Sequence, residues 1–288
     1  NSISTVCCAS EEFVEQTFQF IDSANQKRQP WFVMLNLWDT YSVKNKDALP
    51  KRNYWSHQIK GLPTVPVDAQ SIDTPPYLFG HIGKGHPNLL EDIAAYYDAI
   101  RRVDHSIEKV LQELDARALS KETVIAFTSD HGPTFPRGKQ MVYELGVHVP
   151  LIMVAPGAKP ATRNASLVRL IDLMPTLIEF AGGKVPTLPE ARSLAPILRG
   201  AGNSRQYVAA EFFQHWGTGD FFPSYTIRDT RYKLIYNSRP KLSRPWGERL
   251  RIPWVDALPH ITDEVFATAW ERALNPPEFE LYDLDIAP

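Results

Sequence analysis

The chain has 288 residues, with 31 Lys+Arg against 33 Asp+Glu, eight His and a formal net charge of -2; 43% of its residues are hydrophobic and 22% charged. This content supports a packed core and excludes disorder of the chain as a whole. The near-neutral balance argues against nucleic acid as the main partner, since such proteins carry a clear basic excess. No apolar run approaches the ~20 residues of a membrane helix; the best is Val149–Ala155. Cys7 and Cys8 are adjacent, so they cannot staple distant segments or build a cysteine zinc site. Residues 1–10 show neither a basic n-region nor a long apolar h-region, so no signal peptide is visible and the compartment stays open.

In chain order, Phe13–Ile21 reads as the end of an amphipathic helix. Trp31–Leu37 is a nearly continuous apolar run, which predicts a strand buried on both faces. Residues 40–88 are polar and Pro-rich without a period, and read as long surface excursions. Leu89–Leu114 is the clearest helix: Leu90, Ile93, Tyr97, Ile100, Asp104, Ile107, Leu111 and Leu114 recur at three- and four-residue steps. Asp104 would sit on that stripe and need a partner. Thr123–Phe127 and Val149–Val154 are strands, and Asp172–Ala181 is a helix capped by Gly182. This order predicts an α/β fold, a doubly wound, mostly parallel sheet flanked by helices, over residues 1–200. Shorter β-like pieces, Ser224–Arg228 and Tyr232–Tyr236, predict a smaller C-terminal α+β subdomain over residues 201–288.

Asp130 and His131 directly follow the strand at 123–127, so they should project from its carboxyl end, where ligands bind in open α/β sheets. A carboxylate oxygen beside an imidazole nitrogen is a reasonable half of a divalent-metal site. The ordinary alternative is a turn-capping Asp next to a surface His.

Longer motifs bear on that choice. The run TVIAFTSDHG, then Gly138-Lys139, Tyr143-Glu144-Leu145-Gly146, Val149-Pro150-Leu151-Ile152 and Ala155-Pro156-Gly157, resembles the sulfatase family of the alkaline-phosphatase superfamily. Pro30–Val33, Tyr97–Asp104, Leu170–Thr176 with Ala181-Gly182, Ser193–Gly200, Arg231–Leu234 and Glu280–Leu284 follow the family's order, so the resemblance covers nearly the whole chain. The basic, Pro- and Trp-rich segment after Tyr236 and the closing Glu-Leu-Tyr-Asp-Leu look most like heparan N-sulfatases (sulfamidases). The resemblance implies an alkaline phosphatase-like fold. It also implies hydrolysis of sulfate esters or N-sulfates by a formylglycine hydrate held on Ca²⁺ or another divalent cation. Asp130 and His131 would be metal ligands, and Lys139 the lysine that contacts sulfate and nucleophile. A sulfated small molecule or glycan would be the partner, with neither nucleic acid nor membrane. A homo-oligomer is left open, and the setting implied is periplasmic, secreted or lysosomal.

Three departures matter. The formylglycine motif should lie well before the strand at Trp31, and Cys7-Cys8-Ala9-Ser10-Glu11 mimics it poorly, with Glu11 where Arg is needed. Formylglycine is therefore expected upstream, outside this chain, and the isolated 288 residues are expected to be inactive, since two ligands cannot fill the six to eight positions calcium prefers. Without the upstream portion, a sheet edge or face should also lie uncovered. Asp39-Thr40-Tyr41 stands where the family has a sulfate-contacting His; Tyr41 can donate a hydrogen bond but carries no positive charge near neutral pH. The family's closing Asp-Pro-x-Glu is interrupted at Ala287-Pro288.

His148 replaces an Arg common before Val-Pro, and reads as a structural residue near the site. His215 falls where relatives contact substrate, with an aromatic-packed histidine as the alternative. Residues 228–251 hold eight Lys/Arg against Asp229 and Glu248, a stripe that could draw a polyanionic glycan or simply be a solvated loop. Two other readings stand beside the sulfatase: a phosphonate or phosphate ester hydrolase of the same superfamily, and a non-catalytic sulfatase-like binding protein.

Overall fold

A computed structural model describes residues 3–7, 11–37, 40, 42–44, 53–55, 68, 71, 87–135, 137–160, 163–201, 205–214, 221–240, 264, 267, 268, 271, 272 and 275–286. The chain divides into two compact units, Asn1–Ser120 with Gly247–Ala267, and Lys121–Trp246 with Thr268–Pro288.

In the first unit, β1 (Ile3–Cys7) pairs in parallel with β2 (Phe32–Asn36), Ile3 opposite Phe32 and Cys7 opposite Asn36. Between them runs α1 (Glu11–Gln26), whose Phe13, Val14, Thr17, Phe18, Ile21 and Ala24 recur at helical spacing and are all buried. The short strands β3 (Ser42–Lys44) and β4 (Asn53–Trp55) pair antiparallel within the stretch expected to be surface excursion. The long helix α2 (Pro87–Ala116) packs on α1. Just past it, Arg117 spans Asp22 (Nε–Oδ1 2.8 Å) and Glu113, and lies 4.5 Å over the Phe18 ring.

Two expectations fail here. Phe32 and Met34 are exposed, so β2 is not covered on both faces; its alternation marks a strand with one open side. Asp104 is exposed and needs no partner. The buried face of α2 runs through Leu90, Ile93, Ala94, Ala99, Val103 and Leu114, while Ile100 and Leu111 point outward. An ideal helix drifts ~20° per heptad against a fixed repeat, so a stripe traced over 25 residues leaves the core face.

In the second unit, β5 (Ile125–Thr128) pairs antiparallel with β6 (Leu151–Val154), Ile125 opposite Val154. The element order predicts a mostly parallel sheet, and this pair is an antiparallel exception; the connection between its strands holds the one-turn helix α3 (Glu144–Val147). A 3-10 turn, Leu170–Asp172, leads into α4 (Leu173–Phe180), and Gly182 closes it with φ 72°, as its position predicted. α5 (Ala195–Leu198) follows. These turns are tied by Asp172, which is fully buried. Its Oδ1 and Oδ2 accept the Arg192 and Arg169 backbone N–H groups, each at 2.8 Å, and both face the Arg205 guanidinium at 3.0 and 2.5 Å. Burial pushes the Asp172 carboxyl up, but these donors outweigh it and hold it below the usual value.

The last four strands, β7 (Val208–Gln214), β8 (Phe221–Arg228), β9 (Tyr232–Asn237) and β10 (Phe279–Asp283), form one antiparallel sheet in the order β10-β9-β8-β7. Its buried face carries Ser224, Thr226, Lys233, Asn237 and Glu280; its open face carries Tyr225, Ile227, Leu234, Tyr236, Phe279 and Leu281. Among the described residues no helix is long and apolar enough to cross a membrane.

Candidate functional site

The site is built on the loop between β5 and β6. Immediately after β5, Ser129 Oγ donates to the His131 carbonyl (2.8 Å), and the His131 backbone N–H donates to Asp130 Oδ1 (3.0 Å). The turn thus delivers Asp130 and His131 side by side from the strand's carboxyl end. Asp130 is 84% exposed, open to a ligand from solvent.

His131 Nδ1 lies 2.7 Å from the Gly132 carbonyl oxygen. A carbonyl only accepts, so Nδ1 carries the hydrogen and the neutral ring keeps its lone pair on Nε2. Nε2 is 3.4 Å from Asp130 Oδ2. Two ligand atoms at right angles about a cation, with bonds of about 2.3–2.6 Å, stand about 3.3–3.7 Å apart. The pair therefore fits two adjoining positions of one coordination sphere, with the ring oriented by a backbone carbonyl in the manner usual for metal-bound histidine. Among the described residues no group of three or more His, Cys, Asp or Glu side chains could hold an ion, so the pair supplies part of a sphere. The imidazole nitrogen suits divalent cations softer than calcium as well.

Lys139 lies farther along the same loop and is half-buried. Burial pulls its ammonium below the usual value, and the Asp130 carboxylate opposes that shift. The backbone around it is tightly turned: Lys139 N–H donates to Pro133 O (2.8 Å), Gly138 N–H to Phe135 O (2.9 Å) and Gly132 N–H to Gly146 O (3.0 Å). A Cβ at Gly132 would stand 1.7 Å from Leu145 O, and one at Gly138 2.1 Å from Pro133 O, so backbone packs directly on backbone. Arg137 (φ 63°) and Gln140 (φ 70°) flank Lys139 in the left-handed region. Each costs about 1–2 kcal/mol for a residue with a side chain, so the surroundings must enforce the path.

Those surroundings include residues the sequence did not single out. Glu144 accepts from Lys233 Nζ (2.9 Å) and Arg228, with His148 Nδ1 at 3.4 Å. Burial pushes its carboxyl up, but His148, Lys233 and Arg228 outweigh it and hold it at about 2. Lys233, only 1% exposed, shifts the other way: burial pulls its ammonium below the usual value, against the attraction of Glu144. Tyr143 Oη donates to Glu280 (3.1 Å), which also accepts from Tyr282 Oη (2.5 Å) and Asn237 Nδ2 (2.9 Å). Burial, then the bond to Glu280, pushes the Tyr282 phenol up to about 12. The Arg137 guanidinium lies 4.7 Å over the Tyr143 ring and donates to Tyr282 Oη (3.2 Å).

The structure thus brings Asp130, His131 and Lys139 onto one loop. His148, 76% exposed, is directed to Glu144. Tyr41 and His215 lie outside the described residues. The basic stripe is not one solvated feature: Lys233 and Arg228 are bound to Glu144, Arg231 pairs with Asp283 (2.7 Å), and Arg239 lies 5.0 Å over the Phe221 ring. Lys241, Arg244, Arg249 and Arg251 lie outside the described residues.

The sulfatase family model matches residues 2–183, well over half of the chain. The chain belongs to the sulfatase family. A second model, the C-terminal region of N-sulphoglucosamine sulphohydrolase, matches residues 135–241, which include Lys139, Glu144 and Lys233. An ulvan-active sulfatase from Formosa agariphila is 29% identical over 252 residues, covering 85% of this chain and 40% of that protein. The chain therefore spans well under half the length of that relative. Among solved structures, a 2-O GAG sulfatase superposes with a TM-score of 0.57 at 20% identity, covering 96% of this chain and 57% of the other. A phosphonate monoester hydrolase from Silicibacter pomeroyi reaches 0.53 at 20% identity, covering 90% and 62%. The fold of this sulfatase-family chain is thus the alkaline phosphatase-like α/β fold, as the family resemblance implied.

Proposed function

We propose that the intact protein is a metal-dependent hydrolase of sulfate esters or N-sulfates, acting on a sulfated sugar. The observation that carries it is the pairing of Asp130 Oδ2 with a lone-pair-bearing His131 Nε2 at 3.4 Å, on the loop that also holds Lys139. Asp130 and His131 would hold a divalent cation, calcium by family resemblance, which when bound supplies Lewis-acid stabilisation of sulfate oxygens. Lys139 contributes a partly desolvated point charge, whose field on an anion is screened less than in water. The nucleophile by resemblance is a formylglycine outside residues 1–288. The match of residues 135–241 to N-sulphoglucosamine sulphohydrolase supports an N-sulfated amino sugar as the substrate class, and the family resemblance supports a periplasmic, secreted or lysosomal setting.

The test is steady-state turnover by the intact protein of an aryl sulfate, N-sulfoglucosamine and an aryl phosphonate monoester, with and without a chelator. Sulfate or sulfamate release that the chelator abolishes is expected, and Lys139→Met should lower kcat/KM by about 10²–10³. Preferential cleavage of the phosphonate would contradict the reading in favour of the superfamily's other branch, and metal binding without any turnover would make the protein a binding module.

A further inference from the structure

We infer that Glu144 is a positioning residue, the carboxylate that docks the site loop onto the buried face of the β8–β10 sheet and so fixes His131 and Lys139. Arg228 and Lys233 are register partners on adjacent antiparallel strands. Two like charges directly opposite one another destabilise a sheet, and here one of them is almost wholly buried. The sheet is therefore an incomplete electrostatic object without an anion between the two cations. Glu144 is that anion, with Lys233 on Oε1 and Arg228 on Oε2.

The neighbouring residue makes the complementary contact. Tyr143 donates to Glu280 of β10, so the same buried face offers a cation pair to residue 144 and a carboxylate to residue 143. Helix α3 is a single turn and cannot persist alone, since helix nucleation is unfavourable at that length. Its place is set by these two side chains. From α3 the constraint passes through the backbone: Gly146 O accepts the Gly132 N–H, and Gly132 O accepts the His131 Nδ1–H. Arg137, stacked on Tyr143, carries it to the left-handed turn around Lys139.

Two readouts separate positioning from simple stabilisation. The first is hydrogen–deuterium exchange of the folded chain. Glu144→Gln should raise exchange at least about tenfold in residues 131–148 while leaving α1 and α4 unchanged, because local opening is governed by local anchoring. The second, which rests on the sulfatase reading, is the kinetics of the intact protein. Glu144→Gln should lower kcat about ten- to a hundredfold with KM within about twofold, the size expected when a catalytic group shifts by about 1 Å. The double variant Glu144→Gln/Lys233→Met removes the buried uncompensated cation and should regain Tm to within about 2–4 °C of wild type, yet keep fast exchange and low kcat. Arg231→Ala, which breaks the exposed pair with Asp283, should change neither readout. Unchanged exchange at 131–148 in Glu144→Gln, or recovery of kcat together with Tm in the double variant, would overturn the inference. Absence of sulfate turnover in the wild type would instead defeat the sulfatase reading, and the exchange result would still decide this one.

Discussion

On strand β9, Lys233, Ile235 and Asn237 face the interior while Tyr232, Leu234 and Tyr236 face out. The same inversion runs across the sheet. Beneath it lie Ser224, Thr226 and Glu280; on its open face an aromatic row crosses four strands, Phe213–Tyr225–Tyr236–Phe279, with ring centroids 5.4, 6.0 and 5.1 Å apart. Beside that row run Ile227, Leu234 and Leu281, which are also register partners. The polar face is buried because each of its groups has a specific partner. Lys233 and Arg228 have Glu144, Glu280 has Tyr143, Tyr282 and Asn237, and Ser224 Oγ donates to Asn237 (2.9 Å). Lys233, Arg228 and Glu280 are thus held on the inner face by specific polar partners, three of them (Glu144, Tyr143 and Asn237) on the site loop or the sheet itself, beside the apolar Ile235.

The largest expected effect of breaking that pairing is at Glu144. Glu144→Gln leaves a buried ammonium beside a guanidinium and should cost about 3 kcal/mol in chemical denaturation at pH 7. The cost should be pH-dependent. The Glu144 carboxyl is held at about 2 against an ordinary 4.5, so its stabilisation is fully present above pH 4.5 and is lost as pH falls from there toward 2. The gap between wild type and Glu144→Gln should therefore shrink below pH 4.5 and close as the pH approaches 2; a gap that stays constant to pH 2 would contradict the assignment. Tyr143→Phe comes next. It removes one donor from a carboxylate that keeps two others, and should cost about 1.5 kcal/mol without changing cooperativity. The smallest effect belongs to the open face: Leu281, 70% exposed, should tolerate Leu281→Lys within about 0.5 kcal/mol. A larger loss there would mean that the open face is covered in solution, and sedimentation of the two forms would show it.

Much of the architecture is legible in residue order. The period of Phe13–Ile21 and of Leu89–Leu114 marks α1 and α2, the apolar runs mark β2, β5 and β6, and Gly182 marks the end of α4. Asp130 and His131 are legible because a polar pair follows directly on an apolar strand. Asp104 misleads because a stripe drifts around a 30-residue helix. Glu144, Lys233 and Glu280 stand in motifs the sequence shows, but their pairing is not legible: alternation gives the period of a strand but not which phase is inside, and Lys233 and Glu280 lie 89 and 137 residues from their partners Glu144 and Tyr143. β1 is not legible in the sequence, because Ile3–Cys7 is short and mixes Ser, Thr and Cys with its apolar residues.

The proposed binding of a divalent cation by Asp130 and His131 is tested most directly by calorimetric titration of calcium, and in parallel manganese, into the intact, chelator-stripped protein. One site per chain is expected in the wild type, weakened at least about 100-fold by Asp130→Ala and about 10–100-fold by His131→Ala. Equal affinity in wild type and both variants would place the cation elsewhere and contradict the account.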